Sequence, residues 1–152
     1  MPLIEPHKIR SRTVEESDLE RVMTASQEMF SLCWKGTEQV AFAIAHPQIT
    51  SEDPLRFFVL SDGSLIINPV IVNKTKVPVV RYEGCMTFPG RVWNKVMRSN
   101  KLVVKYSTID DGVLQQLEEE NVIGIKAQII QHEIDHFDGI YVYEDEEVAE
   151  SN

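Results

Sequence analysis

The segment His132-Glu133-Ile134-Asp135-His136 reads H-E-x-x-H. Two histidines four residues apart share one face of a helix, so both imidazoles can reach one divalent cation. Glu133 stands beside them, placed to take a proton from a water that such a cation would acidify. The competing reading is a polar helix face with two chance histidines. The chain has only four histidines, and a regular apolar stripe runs along the same segment, which favours the metal. An extended motif would continue to a third histidine six residues on. Gly139 is in place, but position 142 is Val142. Only 16 residues follow His136, ending in an acidic run, so a glutamate from a later helix is not expected. The third ligand is therefore sought upstream, at Cys85 in Glu83-Gly84-Cys85-Met86-Thr87, where Gly84 lets the backbone turn closely. One cysteine and two histidines leave a coordination position open, as catalytic sites require and structural sites do not.

These side chains need elements to hold them. Ile123, Ala127, Ile130, Ile134 and Phe137 follow helical spacing and predict a helix from near Asn121 to just before Gly139. A second helix is expected over residues 16–34, entered through capping-box patterns at Thr13 and Ser17. Its apolar face would be Leu19, Val22, Met23, Met29, Phe30 and Cys33, which makes Cys33 a core residue rather than a reactive one. Between the helices, Arg56–Leu60, Ser64–Val72, Val77–Glu83 and Leu102–Ser107 are rich in Val, Ile and Phe and bounded by turn residues. Helix, several strands, helix is an α+β order with antiparallel pairing, the C-terminal helix carrying the metal motif at the centre.

Composition narrows the classes. At 152 residues with 43% apolar content, one domain is expected, over residues 1–143, followed by an acidic and disordered tail at 144–152. The tail holds five acids and no bases, so the net charge of −9 leaves −4 for the remainder. That balance argues against a general nucleic-acid or membrane grip, though it leaves a local patch open. Lys95, Arg98 and Lys101 form one small basic group, read as a solvated strand edge or loop. No apolar run is long enough to span a membrane, and no secretory signal opens the chain. Two cysteines build no disulfide framework. The expected setting is the cytoplasm, including that of an organelle or a virus-infected cell.

Three segments, taken in order, resemble the motifs of the peptide deformylase family. They are Ala41-Phe42-Ala43-Ile44-Ala45-His46-Pro47-Gln48, against G-x-G-x-A-A-x-Q; Glu83-Gly84-Cys85-Met86-Thr87, against E-G-C-L-S; and Gln131-His132-Glu133-Ile134-Asp135-His136, against Q-H-E-x-D-H. The resemblance implies a hydrolase that removes the N-formyl group from formyl-methionyl peptides and nascent chains. It implies Cys85, His132 and His136 as metal ligands and Glu133 as the general acid and base. Gln48 and the backbone N–H of Met86 would hold the oxyanion. Fe2+ is the metal it implies in the cell, with Zn2+, Ni2+ or Co2+ as substitutes. Ala41, Phe42, Ala43, Ile44, Glu83 and Gly84 would line the substrate pocket.

The first motif departs from the family pattern. Ala41 and Ala43 stand where it has glycines, and His46 where it has its second alanine. A narrowed pocket would favour another N-acyl amide or peptide as substrate, or a non-catalytic metal-bound protein that binds peptides or a partner. Intact Glu133 argues against the last. His46 reads as a packed or surface residue, with substrate contact or electrostatic tuning as alternatives. The acidic C-terminal run replaces the basic helix through which many members contact the ribosome, so no such contact is expected there, and no direct nucleic-acid site.

Overall fold

The computed structural model describes residues 3–85, 87 and 94–141. A 3-10 turn, Glu16–Asp18, leads into helix α1, Leu19–Leu32. Asp18 fixes this start: its carboxylate accepts the Glu15 N–H at 2.8 Å and two N–H groups of Arg12 at 2.8 and 2.9 Å. Strands β1 (Trp34–Lys35) and β2 (Glu38–Gln39) make a small hairpin. There follow β3 (Ala43–Ala45), β4 (Phe57–Leu60), β5 (Leu65–Lys74), β6 (Val79–Glu83), β7 (Asn94–Arg98), β8 (Lys101–Asp110), β9 (Val113–Gln116) and β10 (Glu120–Ile123). Helix α2, Gly124–Phe137, closes the order.

The fold is α+β, as expected. Six strands form an antiparallel sheet in the order β10-β8-β5-β4-β3, with β9 paired to β8. Strands β6 and β7 form a separate two-stranded ribbon. A strand alternates its side chains between two faces, and β4 uses both. Phe57 and Val59 join Leu19, Val22, Met29 and Cys33 of the α1 side. Phe58 joins Ala127, Ile130 and Phe137 of α2. Both phenylalanines are fully buried, each burial stabilising by roughly 1.5–3 kcal/mol. The sheet is thus sandwiched between two helices, and α2 is held from below along its whole apolar stripe.

Several local expectations shift. The C-terminal helix begins at Gly124, because Asn121–Ile123 pair with Lys101–Val103 as part of β10. Gly124, at φ 65°, turns the chain from strand into helix. Ile123 therefore lies outside the helix stripe and is exposed. Met23 and Phe30 of α1 are also exposed, since the sheet covers a narrower stripe than their spacing suggested. Cys33 is fully buried and its thiol is pushed up to about 12, chiefly by desolvation, which makes it a core residue. Strands β1, β2, β3, β7, β9 and β10 were not expected. The boundary at residue 143 and the tail lie outside the described residues. No helix among the described residues is long and apolar enough to cross a membrane.

An N-terminal arm crosses the end of α2. Ser11 N–H donates to Phe137 O at 2.8 Å, and Lys8 Nζ donates to Gly139 O at 2.9 Å. Gly139 has φ 75°, and a Cβ there would lie 2.9 Å from Lys8 Cα. Gly139→Ala combines left-handed strain with a backbone collision and should destabilise by at least about 2 kcal/mol. Urea unfolding of the variant reads this directly; a loss below about 0.5 kcal/mol would contradict the close approach.

Candidate metal centre and its surroundings

Helix α2 presents His132 and His136 from successive turns, with their Nε2 atoms 3.1 Å apart and their rings edge to face at 89°. Cys85, just beyond the end of β6, brings its Sγ to 3.6 Å from His136 Nε2. One donor atom from each of the three residues lies within 4.8 Å of the others. Two imidazole nitrogens and a thiol aimed at one point fit a single borderline-soft divalent cation, such as iron, nickel, cobalt or zinc. Sequence reasoning selected these three residues, and the fold brings them together.

The ligands are oriented from behind. Glu83 Oε1 and His132 Nδ1 are 2.7 Å apart, which commits that ring nitrogen as the donor and turns Nε2 toward the centre. The same carboxylate accepts from Arg98 Nη2 at 2.7 Å and from Nε at 2.9 Å. Arg98 Nη1 donates to Asp135 Oδ2 at 2.7 Å. Burial alone would raise the Glu83 carboxyl, but Arg98 and His132 outweigh it and hold it near 2. Burial disfavours a charged His132, yet its contacts with Cys85 and Glu83 raise it to about 10. His136 goes the other way, held well below its ordinary value by burial and then by the charge of His132. Gln131 adds a clamp of its own: its amide accepts from Ser99 N at 2.9 Å and donates to Ser99 O at 2.7 Å.

Glu133 is buried, and its Oε2 has no hydrogen-bond partner. Desolvation pushes its carboxyl up to about 7, in the range where a side chain can both take and return a proton. A neighbouring cation would draw it down again. Gln48 is buried too, and its amide orientation follows from its partners: Oε1 accepts the Ala45 N–H at 2.8 Å, so Nε2 faces Thr87 Oγ1 at 2.9 Å and Cys85 Sγ at 3.6 Å. Met86 lies outside the described residues.

The expected pocket residues divide. Ile44 is fully buried in the α1-side core and Ala43 is buried on the α2 side, because β3 lies between both helices. Ile44 is therefore a core side chain. Ala41 and Gly84 are half-buried, and Phe42 is 50% exposed. Glu83 is buried with its carboxylate engaged by Arg98 and His132. His46 is a packed residue: its Nδ1 accepts the Leu55 N–H at 2.9 Å and its ring lies 4.8 Å from that of Phe57. Burial lowers it to about 4, so it is a neutral acceptor at neutral pH.

Arg98 overturns one expectation. It is a half-buried clamp, not part of a solvated edge, since β7 turns it toward α2. Asp135, Gln131 and Thr87 were given no separate roles by sequence reasoning. Only the alternation of β7, invisible before its pairing with β6 is known, could have placed Arg98.

A family model described as polypeptide deformylase matches residues 6–150. The peptide deformylase of Pseudothermotoga lettingae is 32% identical over 133 residues, covering 86% of this chain and 71% of that protein. That of Thermotoga neapolitana is 31% identical over 102 residues, and the match spans only 58% of its length. The crystal structure of the Thermotoga maritima peptide deformylase superposes with a TM-score of 0.76 at 25% identity, over 95% of this chain and 97% of that one.

The buried neutral His46 sets a pH dependence. Between pH 6.5 and about 4 the unfolded chain binds a proton that the folded residue refuses. Stability should fall as pH drops through that window, by about 3 kcal/mol from this group. His46→Asn should flatten the curve of unfolding free energy against pH over the same range. Equal slopes for the two proteins would remove His46 as the cause.

Proposed function

The chain belongs to the polypeptide deformylase family, and we propose that it removes the formyl group from N-formyl-methionyl peptides and nascent chains. The observation that carries this reading is the meeting of Cys85 with His132 and His136, beside the buried Glu133 carboxylate whose Oε2 has no partner among the described residues. Cys85, His132 and His136 would hold the metal, with Fe2+ as the cellular ion and Zn2+, Ni2+ or Co2+ as substitutes. A thiolate ligand and ferrous iron both fit a reducing cytoplasm.

When bound, the divalent ion would supply Lewis acidity to water and substrate carbonyl. Glu133 takes a proton from the attacking water and returns it to the leaving amine, and desolvation keeps it basic enough to do both. Gln48 directs an amide N–H toward the developing oxyanion, held in that orientation by the Ala45 N–H. The Met86 N–H would be the second donor. Arg98 and Glu83 keep His132 in one tautomer. An extended peptide would lie along β3, whose outer edge pairs with no described strand.

Ala43 does not favour another substrate. Ala43 buries its methyl in the core with Phe58 and Ile130, away from the exposed Phe42. A peptide-binding protein without catalysis would have no use for a buried carboxyl with a free Oε2 at Glu133.

Anaerobically prepared, iron-loaded protein should release formate from formyl-Met-Ala-Ser. Glu133→Gln should retain its metal and lose roughly 100- to 10,000-fold in rate. Absence of formate above that variant's background would defeat the proposal. Glu83→Gln should weaken metal retention by roughly 10- to 100-fold, read as bound metal after dialysis against a chelator series. Retention equal to the parent protein would show that Glu83 does not orient His132.

A further inference from the structure

The charge of this chain is strongly partitioned. Residues 74–105 hold eight of its fifteen Lys and Arg residues but only one of its 24 Asp and Glu residues, Glu83. That segment sums to +7, and the other 120 residues to −16. Among the described residues, the fold brings three of these lysines, Lys74, Lys76 and Lys101, to one junction. The link from β5 to β6 meets the turn from β7 to β8: Thr75 N–H donates to Lys101 O at 3.0 Å, and Ser99 Oγ donates to Thr75 O at 3.2 Å. Arg81 reaches Asn100 across the same junction. Lys74, Lys76 and Lys101 are all exposed at this base of the ribbon. Lys95 sits further along it, directly opposite Tyr82.

None of these four lysines has an ion-pair partner among the described residues, and none serves the metal centre. Arg98 and Arg81 share the ribbon's inner face with Glu83: Arg98 is committed to Glu83 and Asp135, and Arg81 to Asn100. The ribbon's outer face carries Tyr82, 60% exposed, with Val80 and Met97 beside it. Glu120, opposite Val104 and three residues along the sheet from Lys101, is already engaged by Lys126 Nζ at 2.9 Å. The acids at the far end of β8, Asp110 and Asp111, lie nine or more residues from Lys101, about 30 Å along an extended strand. That exceeds the Debye length of about 8 Å at physiological salt, so they do not cancel the patch.

Spaced ammonium groups beside an exposed aromatic ring make the pairing that single-stranded nucleic acid uses: lysines for phosphates, a ring for a base. We infer that the β6–β7 ribbon and its basic junction form a docking surface for single-stranded RNA, with Lys74, Lys76, Lys95 and Lys101 on the phosphates and Tyr82 stacking on a base. The surface shares its ribbon with Glu83 and Arg98 but lies on the opposite face. It is the local patch that the chain's overall acidity conceals.

The test is fluorescence anisotropy of a labelled 20-nucleotide oligouridylate with the full chain, from 50 to 300 mM salt. Binding should weaken with salt, each lysine–phosphate contact contributing about −0.7 to the log–log slope. The variant K74Q/K76Q/K95Q/K101Q should bind at least tenfold more weakly at 50 mM salt, with a slope shallower by about 3. Tyr82→Leu should lose at least about fivefold with its slope unchanged. Thermal melts check folding, and Lys95→Gln alone should shift the slope by about 0.7 if the fourfold variant is unstable. Absence of binding at 50 mM salt overturns the inference, as does an unchanged slope in the fourfold variant. Capture by phosphatidylserine vesicles without RNA binding would assign the surface to a membrane instead. Salt-sensitive self-association without RNA binding would assign it to the acidic pole of a second copy.

Discussion

A buried carboxylate cannot stay charged alone, and Glu83 is both buried and ionised. Its solution is Arg98 on one side and His132 on the other. This one requirement joins two parts of the fold that share no strand pairing. The ribbon of β6 and β7 is a sheet of its own, and it reaches α2 through this ion cluster, through the Gln131–Ser99 amide pair and through Gln128 on the Tyr82 carbonyl. Cys85 hangs from the end of that ribbon. The docking that satisfies Glu83 therefore also delivers the sulfur to the histidines. Removing Arg98 would do more than expose a charge: it would leave a buried anion uncompensated and loosen the element that carries a ligand.

The second constraint is the six-stranded sheet between two helices. Because β3 and β4 are covered on both faces, alternate side chains belong to opposite cores. The Ala43 methyl, where the first motif has alanine for glycine, accordingly packs in the core on the α2 side. It also accounts for His46, which fills its place beside Phe57 and serves a backbone N–H that would otherwise be buried without an acceptor. Gln48, two residues on, inherits a fixed position from the same turn.

What was legible in the sequence was what local spacing encodes. The histidine pair needed only a helix, and its apolar stripe announced one. Long strands rich in Val and Ile, such as β5 and β8, were equally plain. Strand β3 has three residues and β7 reads Asn-Lys-Val-Met-Arg, so neither carries a recognisable period of its own. Each exists because a neighbour offers an edge. The start of α2 was misplaced for a related reason: Ile123 falls in register with the helix stripe, but β8 claims Asn121–Ile123 as a strand. Arg98 was misread because its role depends on a carboxylate fifteen residues away in sequence, across a ribbon that local pattern does not show. Total charge concealed the polarity of the molecule, since a sum carries no positions.

The arm that crosses α2 joins the beginning of the chain to residues near 139 through backbone and lysine hydrogen bonds. Its Ile4 N–H and His7 ring also reach the segment that holds Gln48. The contacts with the Gln48 segment can form before α2 exists, whereas those with Phe137 and Gly139 must wait until α2 is made. Contacts of such sequence separation close last and slow folding. The ligand set has the same order, with Cys85 translated well before His132 and His136. The centre thus assembles as a late event in the life of its own polypeptide, once the helix that completes it has left the exit path. A partly made chain exposes an unligated thiol and an uncovered sheet face, which makes oxidation and misassociation hazards of biogenesis rather than of the finished molecule.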